Sequence, residues 1–138
     1  MKELTVLLVE DNDADIILTS EMLSEIGIEE NLHIAKDGQE ALDFLHRKSP
    51  YQLTDKPDLV ILDINLPKLN GKEVLGLMKG DKDLAAIPVI MYTSSHHEND
   101  KVECYKKKAD LYLTKFNSFQ EFQKTKDSFK SFLESKFN

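Results

Sequence analysis

The sequence has little with which to brace itself covalently and little with which to enter a membrane. It carries one cysteine, Cys104, so no internal disulfide can form and a small disulfide-stapled scaffold is excluded. No apolar run approaches the roughly 20 residues that span a bilayer. Met1-Lys2-Glu3-Leu4 leads straight into a strand pattern without the layout of a signal peptide. Basic residues are also scarce, with 18 Lys and Arg against 25 Asp and Glu and a net charge of −7. Residues 1–100 hold 9 basic and 20 acidic side chains, a balance of −11, whereas residues 101–138 hold 9 and 5, a balance of +4. An acidic bulk argues against general nucleic-acid binding, which draws its affinity from neutralising phosphates. No appended DNA-binding module, internal repeat or low-complexity tract is evident. The expectation is a soluble cytoplasmic protein whose 138 residues form a single domain, 1–138.

What is present is an alternation of apolar runs and helical spacings. Asp58 to Asn65 holds Leu59, Val60, Ile61 and Leu62 in succession, which suits a strand buried on both faces of a parallel sheet. Asp63 ends that run, and Pro67 and Gly71 turn the chain away after it. Leu4–Val9 is predicted as a first strand, Leu32–Ala35 as a second, Val89–Thr93 as a fourth and Leu111–Thr114 as a fifth. Between them, Ile16, Thr19, Met22, Leu23 and Ile26 recur at helical spacing before a terminating Gly27. Asp37-Gly38 turns into a second helix, a third is predicted over about 72–80, a Lys-rich helix runs to Lys108, and Ser118 caps a last one. Five alternations predict an α/β fold: a doubly wound, five-stranded parallel sheet of flavodoxin-like order 2-1-3-4-5, with helices on both faces.

In such a sheet the carboxyl ends of the strands open into the ligand crevice. The first strand delivers Glu10 and Asp11 there, the third Asp63, the fourth Thr93 and the fifth Lys115. A lone Asp at such a place is as well explained by ending its strand or capping the next helix. Three carboxylates repel one another unless a cation joins them, and an oxygen-only site suits Mg²⁺. A carboxylate nucleophile, a divalent metal, a lysine and a hydroxyl are what in-line phosphoryl transfer needs.

These residues resemble a response-regulator receiver domain (CheY-like) of two-component signalling over nearly the whole chain. Glu10-Asp11 resemble the family's acidic pair, Asp63 its phosphoacceptor, Thr93 its switch hydroxyl and Lys115 its lysine. Asn65 resembles the residue whose main-chain carbonyl completes the metal site, and Tyr112 the switch aromatic. The separations, 30 residues from Asp63 to Thr93 and 22 from Thr93 to Lys115, agree with that family. Asp37-Gly38-Gln39-Glu40-Ala41 and Leu66-Pro67 also fall where its motifs fall. Val9-Glu10-Asp11-Asn12, Leu66-Pro67-Lys68 and the long connection before the third strand are similar to the small stand-alone regulators of bacterial phytochrome kinases. The resemblance implies a phosphoacceptor that assists its own phosphorylation and dephosphorylation and is no turnover enzyme. A sensor histidine kinase, of phytochrome type by the finer resemblance, would supply the phosphoryl group with Mg²⁺ as cofactor. The signal would leave through a downstream protein or a phosphotransfer partner, since no output domain is recognised.

One departure stands out. The family usually follows its lysine with proline, often through a cis bond, whereas Phe116 stands here. A cis bond before a non-proline residue costs about 2.5–4 kcal/mol. The expectation is either a strained cis bond or a trans bond that shifts Lys115. Asn65 and Ser95, at positions resembling the family's rate-tuning pair, carry no acid to orient water, so slow to moderate self-hydrolysis is expected; an acyl phosphate lasting only seconds would refute this.

Other features read as ordinary surface or core. His96-His97 is an exposed loop and not a metal pair, Lys106-Lys107-Lys108 a solvated helix face, and Cys104 has no redox role. Phe119, Phe122, Phe129, Leu133 and Phe137 form a stripe expected to be buried; Phe132 lies off it and hints at a homodimer through the last helix. Three rival readings compete with a phosphate-accepting receiver. A haloacid-dehalogenase-type phosphatase wants an acid where Asn65 stands. A flavodoxin-like carrier wants a hydroxyl- and Gly-rich loop where Glu10-Asp11-Asn12-Asp13 stands. A receiver-like module that works without phosphate is the third, and Phe116 keeps it open.

Overall fold

Buried parallel strands must be apolar on both faces, and the three central runs of this chain are. In the computed structural model, which describes residues 3–137, β1 (Val6–Val9), β3 (Leu59–Leu62) and β4 (Val89–Thr93) are buried at every position. β2 (Leu32–Ala35) and β5 (Leu111–Thr114) lie at the edges and are half exposed. The sheet is parallel throughout, in the order β2-β1-β3-β4-β5. The first strand is shorter than the sequence suggests. Leu4 is buried but precedes the ladder, and Met1 and Lys2 of the N-terminal reading lie outside the described residues.

Helices α1 (Asp13–Glu25) and α5 (Phe119–Phe137) cover one face of the sheet, burying Met22, Leu23, Phe129 and Leu133 against Val6, Leu8, Leu59, Ile61 and Ile90. On the other face lie α2 (Gly38–Leu45), α3 (Gly71–Lys79) and α4 (Glu98–Lys106). They bury Phe44, Val74, Leu75, Met78 and Cys104 against Leu7, Val9, Val60, Leu62 and Met91. The helix starts follow from capping chemistry. Asn12, Asp37 and Asn70 each accept a backbone N–H of the first turn, and Asn70 with Glu73 forms a reciprocal capping box. Ser118 caps α5 as expected, its Oγ accepting from the Glu121 N–H at 3.2 Å. Gly27, at φ 95°, ends α1 in the left-handed region that glycine tolerates.

Two aromatic expectations are corrected. Phe119, counted in the buried stripe, is 76% exposed; it is the first residue of α5, and it stacks on Phe122 with centroids 6.4 Å apart. Phe132, expected to stand off the stripe, is half-buried against the core. It follows Phe129 by three residues, so both share one helix face.

Gly71 places the site. It lies so close under β3 that an added Cβ would overlap the carbonyl oxygen of Asp63. The loop after Asp63 is closed by a hydrogen bond from the Gly71 N–H to Ile64 O at 2.7 Å.

Candidate functional site

The strand ends do converge. Asp63 N–H donates to Val9 O at 3.2 Å, setting Asp63 beside Glu10, and Lys115 N–H donates to Thr93 O at 2.8 Å, setting Lys115 beside Thr93. Glu10, Asp63 and Thr93 are buried, whereas Asp11 is exposed at the rim. Both Asp63 oxygens are engaged. Oδ1 accepts from the Ile64 backbone N–H at 2.7 Å and lies 3.4 Å from the Asn65 N–H, while Oδ2 accepts from Lys115 Nζ at 2.9 Å.

Lys115 is the hub. Its ammonium touches Glu10 Oε1 at 2.5 Å, Asp15 Oδ2 at 2.8 Å and Asp63 Oδ2 at 2.9 Å. Burial works to lower the ammonium's pKa, but the hydrogen bonds to Asp15, Glu10 and Asp63 outweigh it and hold it above the ordinary lysine value. The pKa of the Glu10 carboxyl is also raised, which for an acid disfavours the charged form. Burial pushes it up, and the Asp63 charge adds to this against the Lys115 hydrogen bond. Among the described residues the only cis peptide bond is Ser49–Pro50. Lys115–Phe116 is therefore trans and not the strained cis bond of the two expectations, and the ammonium reaches Asp63.

Glu10, Asp11 and Asp63 bring carboxylate oxygens within 4.8 Å of one another. Three hard oxygen donors at this spacing fit a divalent cation of the Mg²⁺ or Mn²⁺ type. Asn65, exposed just beyond, has its main chain in the same loop.

On the far side of the crevice the hydrogen bonds of Thr93 and Tyr112 are neutral. Thr93 Oγ1 lies 3.4 Å from the Ser95 N–H, and the Tyr112 hydroxyl donates to Ser95 O at 3.0 Å, so Tyr112 points inward and is buried. Ser95 Oγ donates to Asp100, which Lys72 also holds at 2.5 Å. His96 and His97 are exposed as expected. Cys104 is fully buried, and burial pushes its thiol up to about 11. Lys106 and Lys108 are exposed and Lys107 is half-buried.

The sequence reading gave Asp15 no role. Its only signal was its place in the acidic run Asp11-Asn12-Asp13-Ala14-Asp15 that opens the first helix. That this helix leans over the end of β5 is tertiary information.

The crevice and sheet define a class of protein. Residues 6–126 match the response regulator receiver domain, and the chain belongs to that family. It is 39% identical over 127 residues to response regulator Rcp1 of Synechocystis sp., covering 92% of this chain and 86% of that protein. The crystal structure of the Mn²⁺-bound form of Rcp1 superimposes with a TM-score of 0.88 at 37% identity, covering 98% of this chain and 97% of that one. The phosphorylated cyanobacterial phytochrome response regulator RcpA gives a TM-score of 0.84 at 34% identity over 96% and 93% of the two chains. No helix among the described residues is long and apolar enough to cross a membrane.

Proposed function

We propose that this response regulator acts as a stand-alone receiver, accepting a phosphoryl group on Asp63 from a sensor histidine kinase of the phytochrome-linked type. The observation that carries the reading is the Asp63 carboxylate, aimed by the Ile64 amide and by Lys115 beside the Glu10–Asp11 pair. Mg²⁺ is the proposed cofactor, held by Glu10, Asp11, Asp63 and the Asn65 main-chain carbonyl, and when bound it would neutralise charge on the incoming phosphoryl oxygens. Asp63 is the nucleophile. Lys115 neutralises a phosphoryl oxygen, and Thr93 offers its hydroxyl to another.

The new group carries about −2 charge at neutral pH. Drawing the Thr93 hydroxyl inward would break its long contact with Ser95 and leave room for Tyr112 to follow. The face of α4, β5 and α5 then changes shape, and a downstream protein or phosphotransfer partner reads it. An open apolar groove lined by Leu18, Phe116, Phe119 and Phe122 lies next to Lys115, which favours a protein donor docking beside the acceptor. A homodimer through α5 would use Phe132 with the half-buried Leu111 and Leu113 of the edge strand; a sedimentation coefficient that stays monomeric on phosphorylation would remove it.

The test is incubation with acetyl phosphate and Mg²⁺, read by intact mass, with Asp63→Asn as control. One added phosphoryl group in the wild type and none in the variant is expected. An adduct that survives in the variant would displace Asp63 from its role. No wild-type adduct would make the phosphate-independent module the better account.

A further inference from the structure

An ammonium has three N–H donors, and Lys115 spends them on three carboxylates. Two of these partners, Glu10 and Asp63, belong to the cluster fitted for a divalent cation; Asp15 does not. Asp15 comes from α1, where its own N–H is fixed by the Asn12 cap at 3.0 Å. Its side chain is 35% exposed, against 3% for Glu10 and 6% for Asp63, so it approaches the ammonium from the solvent side. Beneath it, Asp15, Leu18, Thr19, Tyr92, Lys115 and Phe116 meet around one small recess, where the Phe116 backbone N–H interacts with the Tyr92 hydroxyl. A proline at Phe116 would have no such N–H.

We infer that Asp15 is a positioning residue for phosphoryl transfer: it tethers the Lys115 ammonium from outside the cation cluster, in a chain whose Lys115–Phe116 bond is trans. The inference rests on the reading of Asp63 as phosphoacceptor. In the step itself an Asp63 oxygen forms a new O–P bond while the bond from phosphorus to the donor atom breaks, an imidazole nitrogen in a phosphohistidine and an oxygen in acetyl phosphate. With acetyl phosphate the acetate leaves with that bond's electron pair. Lys115 keeps its protons and turns one N–H from Asp63 toward a phosphoryl oxygen. Glu10 and Asp63 change their surroundings during this step, and Asp15 stays in place as the fixed end of the tether. A carboxylate so near the phosphoryl path also repels an anionic donor. The two effects oppose each other, and the tether is expected to win because a misplacement of about 1 Å costs up to about 100-fold in rate.

The experiment compares wild type, Asp15→Asn and Asp15→Glu for phosphorylation by acetyl phosphate with Mg²⁺, alongside NMR of the lysine ammonium groups. Asp15→Asn is expected to slow adduct formation about 10-fold and to broaden the Lys115 ammonium signal, with Asp15→Glu recovering most of both. An Asp15→Asn protein that reacts as fast as wild type or faster overturns the inference and makes Asp15 a repelling charge only. Slowing without rescue by Glu, or with the Lys115 signal unchanged, also overturns it. If the wild type itself takes up no phosphoryl group, the Asp63 reading fails and any role in transfer fails with it. The ammonium signal then decides whether the tether exists.

Discussion

The two ends of the crevice are built from different interactions. Each of the three carboxylate contacts of the Lys115 ammonium is charge-assisted, at 2.5–2.9 Å, whereas Thr93, Ser95 and Tyr112 are joined to one another by neutral hydrogen bonds at 3.0–3.4 Å, with only the Ser95 hydroxyl turned to a charge, that of Asp100. A neutral bond contributes about 0.5–1.5 kcal/mol net, and one to a charged group roughly twice that. Moving Lys115 means breaking several strong contacts at once, while moving Thr93 or Tyr112 means exchanging one weak contact for another. A single phosphoryl group can supply the second change and not the first. The charged end is therefore suited to chemistry that needs fixed positions, and the neutral end to a rearrangement that others can read.

The most severe way to break this contrast is Lys115→Met. It leaves Glu10 and Asp63 buried beside each other without their cation, and loss of about 3 kcal/mol of stability is expected at neutral pH without divalent metal, together with loss of phosphate uptake. Urea unfolding with and without Mg²⁺ checks it, with partial recovery expected on adding the metal. At the neutral end, Tyr112→Phe removes one bond to Ser95 O and should cost about 1 kcal/mol. Phosphorylation by acetyl phosphate should keep its rate within about 2-fold, since Tyr112 touches no atom of Asp63 or Lys115. A strongly slowed variant would show that the two ends are not separate.

The smallest effect concerns the latch behind the neutral end. Hydrogen bonds from Lys72 and then Ser95 hold the Asp100 carboxyl below its ordinary value of 3.8. A depressed carboxylate stabilises the fold above its unfolded value and loses that contribution as pH falls through its folded one. The Lys72–Asp100 pair is partly exposed, so Asp100→Asn should cost less than about 1 kcal/mol near pH 7. The difference should be smaller at about pH 3 than near pH 7, because it fades as pH falls below the ordinary value and through the lowered folded one. Urea midpoints at the two pH values read it directly.

Much of the charged end was legible in advance, because buried parallel strands appear as apolar runs and the residue that ends each run marks the crevice. Asp58 to Asn65 and Glu10-Asp11 needed no more than that. Asp15 was not legible, since its contact spans 100 residues of sequence and depends on how α1 leans over β5. Phe119 and Phe132 failed for a related reason. Helical spacing says which residues share a face, but not how far the core beneath extends, and Phe119 at the first position of α5 stays exposed. The trans bond before Phe116 was one of two local outcomes, and only the tertiary contacts of Lys115 distinguish them.

Gly71 has a further consequence, mechanical in kind. With the start of α3 set against the carbonyl of Asp63, at a distance no side chain allows, the Asp63 main chain has no slack on that side. The strand end behaves as an anvil: force generated when a group is added to Asp63 cannot be absorbed by recoil of its own backbone and passes into the side chains around it. A bulkier residue at Gly71 would displace that anvil before any signal arrived.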